Sequence, residues 1–472
     1  MQYEPVIGLE VHLQLSTRTK AFCGCRISFG ERPNSQTCPV CLGLPGALPV
    51  LNEKAFGYAT KVALALGCEI QGFVKFDRKN YYYPDLPKNF QISQYDKPLA
   101  YNGRVSLPAK TIRIKRVHLE EDAGKLLHEG LDGASRVDYN RAGIPLLEIV
   151  TEPDIASPQE AYDYLTKLKA ILEYLDVSLC DMEKGSLRCD ANISTRPKGE
   201  SSLGPKVEVK NMNTFKGVRD ALEYEASRQL EVVNSQESTV QETRLWDAQK
   251  RVTISMRSKE EAHDYRYFPE PDLVPFVADR QSIEAVRRSL PELPEARLKR
   301  LRERFGLSEY DAGVLVSDKA MADYFEECAG LYDKSKALVN WIMGEILNRI
   351  NLKKTGIREA APPVKDLVEL LKMIDSGEIS QKTAKDVLTE MADSRQGPRS
   401  IVKAKGISQI SGRQELEDAV AMVLEKNKKS LDDYKAGKKN AFTYLVGQVM
   451  KETGGRANPR LVNEILKRSL GR

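Results

Sequence analysis

At 472 residues, 41% hydrophobic and 29% charged, the chain is too long for one ordinary core and too apolar for a disordered polymer, so about two to four globular domains are expected. Its apolar runs fall well short of the roughly 18 residues of a membrane span. The net charge of +5 permits nucleic-acid binding without arguing for it.

The N-terminus, MQYEPVIGLEVHLQL, runs straight into a strand pattern and lacks the basic and then apolar layout of a signal peptide. A cytoplasmic location, with no membrane partner, is the expectation. In IGLEVHLQL, Ile7, Leu9, Val11, Leu13 and Leu15 share one strand face. Glu10 and His12 share the other, about 6.8 Å apart and close enough to serve one centre.

Next come Cys23, Cys25, Cys38 and Cys41, half of the eight cysteines. A CxC followed by the knuckle CPVC has the spacing of a structural Zn²⁺ site. The same residues also read as four reduced thiols on a loop. Residues 76–99, FDRKNYYYPDLPKNFQISQYDKPL, interleave aromatics with Lys, Arg and Pro without a period. Such a stretch either stacks a base beside a charged backbone or covers a core with tyrosines. Residues 263–275, HDYRYFPEPDLVP, repeat this composition.

In TIRIKRVHLEED, Ile112 and Ile114 are out of step with Val117 and Leu119, which predicts a bulge near Lys115 and Arg116. The downstream phase puts Glu121 with Val117 and Leu119 on the apolar side, and His118, Glu120 and Asp122 on the other. Glu121 is therefore the acid expected to point inward, with Glu120 and Asp122 ordinary. In IPLLEIVTEPD, Glu148 sits in an apolar run and needs a partner, either Arg141 or a divalent cation.

A helix is predicted from Ser157, with Pro158 at its first position and Glu160 completing a capping box. CDMEKGSLRCDANIS predicts a hairpin turning at Lys184-Gly185, with Arg188, Asp190 and Asn192 on one face. KVEVKNMN is a further strand, with Lys206, Glu208 and Lys210 on one face. ETRLWDAQKRVTISMR is a second hairpin, turning near Ala248-Gln249. After Pro291 and Pro294 the period becomes helical. SRQGPRSIVKAKG reads as a hinge near residue 400, followed by three amphipathic helices. Residues 401–472 carry fifteen Lys or Arg against eight Asp or Glu.

No P-loop, dinucleotide fingerprint or GxSxG elbow is present, and four histidines are too few for a His-rich metal site. What the strands offer is misplaced acids with one imidazole, a donor set that suits Mg²⁺ rather than Zn²⁺. Each acid alone also reads as a buried ion pair. Mg²⁺ beside Lys and Arg is how proteins hold ATP phosphates.

VIGLEVHLQL, FDRKNYYYPDLPKNFQISQYD, HLEEDAGK, VDYNRAGIPLLEIVTEPD, GSLRCDANIS, VEVKNMN, HDYRYFPEPDL and LVGQVMKETGGRANPRLVNEIL occur in an order that resembles the B subunits of aspartyl/glutamyl-tRNA amidotransferases. The resemblance implies an α+β protein. Residues 1–292 would form a catalytic cradle of antiparallel sheets with helices, 293–400 a helical domain, and 401–472 a small helical tail that contacts tRNA. It implies Mg²⁺- and ATP-dependent phosphorylation of the side-chain carboxylate of Glu-tRNA(Gln) or Asp-tRNA(Asn). Ammonia would come from an amidase A subunit, with a small C subunit bracing a heterotrimer.

The same resemblance puts the metal-binding residues on Glu10, His12, Glu121 and Glu148, positions that strand phase also singles out, with Asp190 a further ligand. It makes Lys79, Arg188, Lys206 and Lys210 contacts to phosphate or carboxylate. Zn²⁺ on the cysteines would be structural. Two other readings stand beside this one. The basic tail alone suggests a non-catalytic tRNA-binding scaffold. The cysteines alone suggest a zinc hydrolase, although no His or Glu at fixed spacing completes one.

Overall fold

The alternation of IGLEVHLQL becomes the strand Tyr3–Gln14, fifth of nine in one sheet. Across that sheet the order is Val252–Ser258, Glu242–Asp247, Val207–Lys210, Leu187–Pro197, Tyr3–Gln14, Pro145–Thr151, Thr111–Glu121, Ala100–Ser106 and Glu69–Ile70. Every pairing is antiparallel except that of Val207–Lys210 with Glu242–Asp247. The computed structural model describes residues 3–127, 135–258, 265–407, 413–435, 438–454 and 457–470. They form two compact units, Met1–Pro294 and Glu295–Arg472. The fold is α+β, strand-rich in the first unit and helical in the second.

One face of the sheet is apolar. Ile7, Leu9, Val11, Leu13, Val117, Leu119, Leu147 and Ile149 are buried there with residues of the helices Glu53–Ala65, Pro158–Leu175 and Phe215–Asn234. Each such side chain contributes roughly 1.5–3 kcal/mol on burial, so this face fixes the register. A one-residue slip would turn the whole apolar set outward. The helix Pro158–Leu175 begins as predicted: Ser157 Oγ accepts the Glu160 N–H at 3.2 Å. The Glu160 carboxylate reaches back to the Ala156 N–H at 2.9 Å, one residue earlier than a standard capping box.

Two local expectations change. The Lys184-Gly185 turn forms, with Gly185 at φ +72°, but only Leu187–Pro197 is a strand, so there is no hairpin. The segment read as a hinge near residue 400 holds the helix Pro398–Lys405, whose Ile401 and Val402 are buried in the first core of the second unit. That core runs from Leu301 to Val402, and a separate core joins Leu416, Val420, Leu445, Val449 and Ile465. Among its described residues the tail holds four helices where three were expected: Arg413–Lys426, Lys428–Lys435, Lys439–Glu452 and Pro459–Ser469. No helix among the described residues is long and apolar enough to cross a membrane.

Candidate active site

Directly opposed residues of antiparallel strands share a face, and the register gathers charge on the side away from the three helices. His12 stands opposite Glu148 on one neighbour and Arg188 on the other. Glu10 stands opposite Asp190, and Glu148 opposite His118. Glu120, two residues beyond His118, shares that face. The His12 Nε2 lies 3.4 Å from Glu148 Oε2, 3.6 Å from Glu10 Oε1 and 3.8 Å from Glu120 Oε1. The His118 Nε2 lies 3.1 Å from the same Glu148 oxygen and 3.6 Å from Glu120 Oε2.

These spacings suit a small hard cation. Octahedral donors at about 2.1 Å from Mg²⁺ stand about 3.0 Å apart when adjacent and about 4.2 Å when opposite. Two overlapping groups, Glu10/His12/Glu148 and His118/Glu120/Glu148, each keep their donor atoms within 4.8 Å of one another. The donor chemistry, three carboxylates with two imidazoles, therefore fits such an ion.

Burial alone would lower the pKa of His118, but the charges of Glu148 and Glu120 and their hydrogen bonds outweigh it and raise the group to about 9. His12 is raised on the same balance. Burial works against the Glu148 carboxylate, yet His118 and His12 hold it well below the usual range. Glu10 moves the other way, raised by burial and by the Glu148 charge.

Glu121 is not part of this group. It does point to the opposite side of the sheet, as its phase predicted, and it is buried there. On that side it pairs with the Lys88 ammonium and accepts the Ile92 N–H at 3.0 Å. It faces a cavity of about 250 Å³ lined also by Lys20, Cys41, Arg78, Lys88 and Glu270. Alternation is the reason: Glu10, His12 and Glu148 lie on the polar face, and a residue in phase with Leu119 cannot reach them. Glu120 and Asp122, expected to be ordinary, are both buried. Asp122 accepts from Gln14 Nε2 at 2.7 Å and pairs with Arg188 at 3.0 Å. Arg141, one candidate partner for Glu148, instead lies 3.8 Å from Asp122 and donates to the Ala123 and Gly124 carbonyls.

The cations expected around the centre divide. Lys210 binds Asp190 at 2.7 Å and Glu208 at 3.3 Å, beside Glu10. Arg188 borders a groove of about 1050 Å³ that also takes in Gln14, Phe29, Arg141 and Leu179. Lys206 is exposed just before its strand and forms no ion pair among the described residues. Lys79 sits on the short strand Asp77–Asn80, with its Nζ 5.0 Å from the Tyr265 ring and 5.8 Å from the Tyr81 ring. The charges of Glu120 and Glu148 hold its ammonium above the ordinary lysine range against the cost of burial.

Asp77–Asn80 pairs with Phe90–Ser93 and with Phe268–Pro269, so the two tyrosine-rich stretches meet in one small sheet. This sheet is tied to the centre, because Ser93 Oγ donates to Glu120 at 3.0 Å and Gln94 Oε1 accepts the Leu119 N–H. His263 and Asp264 of the second stretch lie outside the described residues.

The four sulfurs of Cys23, Cys25, Cys38 and Cys41 lie within 4.8 Å of one another. Tetrahedral Zn–S bonds of about 2.3 Å put sulfurs about 3.8 Å apart, so the cluster fits Zn²⁺. A hydrogen bond from Cys23, the Cys38 N–H and the nearby Lys20 hold the Cys41 thiol down to about 4. Lys20 is fully buried, with its Nζ 3.6 Å from that sulfur.

Residues 5–284 match the model of the GatB/GatE catalytic domain, and residues 323–470 match that of the GatB domain. The chain is 55% identical to the B subunit of the aspartyl/glutamyl-tRNA(Asn/Gln) amidotransferase of Carboxydothermus hydrogenoformans, covering 100% of this chain and 99% of that one. It is 55% identical to its counterpart from Caldanaerobacter subterraneus over 100% of both chains, and 50% identical to that of Thermodesulfovibrio yellowstonii over 99% of both. With its strand-built acid–histidine centre, the chain belongs to the family of the tRNA-dependent amidotransferase B subunits.

Proposed function

We propose that this chain carries the ATP- and Mg²⁺-dependent step that converts Glu-tRNA(Gln), Asp-tRNA(Asn) or both to the amide. It would work in the cytoplasm, in a heterotrimer with an amidase A subunit and a small C subunit. The observation that carries this reading is the convergence of Glu10, His12, His118, Glu120 and Glu148 on one sheet face, beside Lys79, Arg188 and Lys210. A carboxylate does not accept ammonia directly, because its leaving group would be oxide. Attack by a carboxylate oxygen on the γ-phosphorus, with ADP leaving, makes an acyl phosphate. Ammonia then attacks the carbonyl carbon, phosphate leaves, and the nitrogen loses a proton. When bound, Mg²⁺ offsets the repulsion between the phosphate and the incoming carboxylate.

Glu10, His12, His118, Glu120 and Glu148 would hold the metal, with Asp190 orienting Lys210 rather than binding the ion. Lys79, Arg188 and Lys210 would contact phosphate or carboxylate. The cysteine cluster would hold a structural Zn²⁺ outside the reaction. The basic tail, residues 401–472, would contact the tRNA body. Glu148→Gln keeps the side-chain shape and removes the charge that both histidines face. It should abolish ATP-dependent amidation and leave tRNA binding nearly intact. Undiminished amidation in that variant would overturn the assignment and favour a non-catalytic scaffold.

A further inference from the structure

Tyrosines from two distant stretches form a wall beside the acid–histidine centre. The Tyr95 ring lies parallel to that of Tyr267, with centroids 4.2 Å apart and planes at 11°. Tyr267 meets Tyr265 edge-on at 6.0 Å, and Tyr265 meets Tyr81 at 5.7 Å. Among the described residues the row therefore ends at Tyr95, whose inner face is covered by Tyr267. Tyr95 is nevertheless 59% exposed, so its outer face is open.

The backbone that carries the ring is held in place. The Tyr95 N–H donates to Asp77 Oδ2 at 2.9 Å, and Asp77 is buried and paired with Lys75 at 2.7 Å. Lys75 in turn pairs with Asp96, the next residue after Tyr95. The wall is also near the centre. Gln94, the residue before Tyr95, accepts the Leu119 N–H at 3.0 Å, and Ser93 Oγ donates to Glu120 at 3.0 Å.

We propose that the open face of Tyr95 stacks the adenine of a substrate adenosine. The inference rests on the reading of the centre given above, whose reaction uses two adenosines. One is that of ATP; the other is the terminal nucleoside of tRNA, which bears the amino acid. Both must place a charged group at the acid–histidine cluster while the base lies a nucleotide's length away. A preordered aromatic with one free face is suited to this, since stacking on a rigid ring costs little ordering and is worth about 1–3 kcal/mol per base. A T-shaped terminal pair would not leave such a platform, whereas a parallel one continues into a third ring.

The test uses the chain assembled with its partner subunits. In Tyr95→Ala, KM for one adenosine-bearing substrate should rise about ten- to hundredfold, while Tyr95→Phe, which keeps the ring, stays close to the parent. A rise in KM for ATP identifies the ATP adenine; a rise in KM for aminoacyl-tRNA identifies the terminal adenosine. In Tyr95→Trp, the new indole fluorescence should be quenched by ADP in the first case and by tRNA in the second.

Unchanged KM values for both substrates in Tyr95→Ala would overturn the proposal. So would an equal loss in Tyr95→Phe, or loss of a partner subunit on gel filtration of Tyr95→Ala, which would place the ring in an interface. The quenching measurement needs no turnover. It therefore reads the platform even if Glu148→Gln stays active and the reading of the centre fails.

Discussion

Two neighbouring acids that composition cannot tell apart are separated by the sheet, and this makes a sharp test. Glu120→Gln removes an anionic oxygen from the metal-fitting group, whereas Glu121→Gln removes the partner of Lys88 on the far side. Glu120 is 2% exposed, with oxygens 3.8 Å from His12 and 3.6 Å from His118, so solvent cannot readily replace it. At about 4 Å, unit charges in a partly buried setting attract by about 4 kcal/mol, and a divalent ion doubles that before desolvation takes most of it back. Even residues that only support metal ligands typically cost 10–100-fold when lost, about 1.4–2.8 kcal/mol. Glu120→Gln should therefore raise the Mg²⁺ midpoint of amidation at least tenfold. Glu121→Gln should shift it less than about twofold, whatever it does to turnover through Lys88. The assay is amidation of Glu-tRNA against Mg²⁺ concentration, with Mn²⁺ binding to each variant as a direct check. An equal shift in both variants, or a larger one in Glu121→Gln, would refute the assignment of faces.

A structural Zn²⁺ on the cysteines predicts that chelation, or Cys38→Ser, lowers the thermal midpoint and abolishes bound zinc. ATP-dependent amidation should survive at temperatures where the fold persists; its complete loss in folded protein would contradict a structural role. Glu225 is fully buried, paired with Arg228 at 2.6 Å and Arg244 at 3.5 Å, and it accepts from Thr253. Glu225→Ala removes one of two carboxylates that these arginines share, since Glu242 also pairs with Arg228 at 3.6 Å and Arg244 at 2.7 Å, and should cost about 1.5–3 kcal/mol in a denaturant titration. In the helical unit, burial opposes ionisation of Glu326 and Asp323, but Arg300 and Arg297 hold Glu326 below the ordinary range, and Lys319 and Arg297 do the same for Asp323. A depressed folded-state pKa contributes stability above the ordinary carboxylate value, about 4–4.5, and loses it as pH falls through the folded value. The melting temperature should thus be flat above pH about 5 and drop on acidification, and Arg297→Leu should flatten that drop.

Much of the candidate site is legible in strand phase. Glu10 and His12 stand opposite the phase of Leu9 and Val11, and they lie on the polar face. The same rule, applied to VHLEED, picks His118 and Glu120, which stand opposite the phase of Val117 and Leu119. Glu121, an acid on the apolar phase, is instead held in a separate buried pair with Lys88. Glu148 offered no such guide, because both phases of PLLEIV are apolar. Only pairing with His12 and His118 decides its side. The meeting of Tyr81 with Tyr265, and of Tyr95 with Tyr267, depends on non-local pairing that no local pattern encodes.

The bulge is what makes the two phases compatible. Ile112 and Ile114 are buried on the apolar side, and so are Val117 and Leu119, which alternation without an extra residue would forbid. Against Pro145–Thr151 the register shifts at Val150/Thr151, so Arg116 and Ile114 are paired and Lys115 is the extra residue. The neighbouring strand does not absorb this shift; it copies it. Ala100 is buried, then Gly103 and Val105, and between them Asn102 takes φ +60°. Tyr101 and Gly103 therefore still face Arg116 and Ile114 in regular pairing. The copy works because Gly103 has no side chain: a Cβ there would stand 2.3 Å from Cys68 Sγ and 3.1 Å from the Leu66 carbonyl. An Asn-Gly pair that would turn a hairpin elsewhere here carries a phase change across two strands. It is this change that lets a strand entering with even-numbered residues in the core deliver the even-numbered His118 and Glu120 to the opposite face, within reach of Glu148.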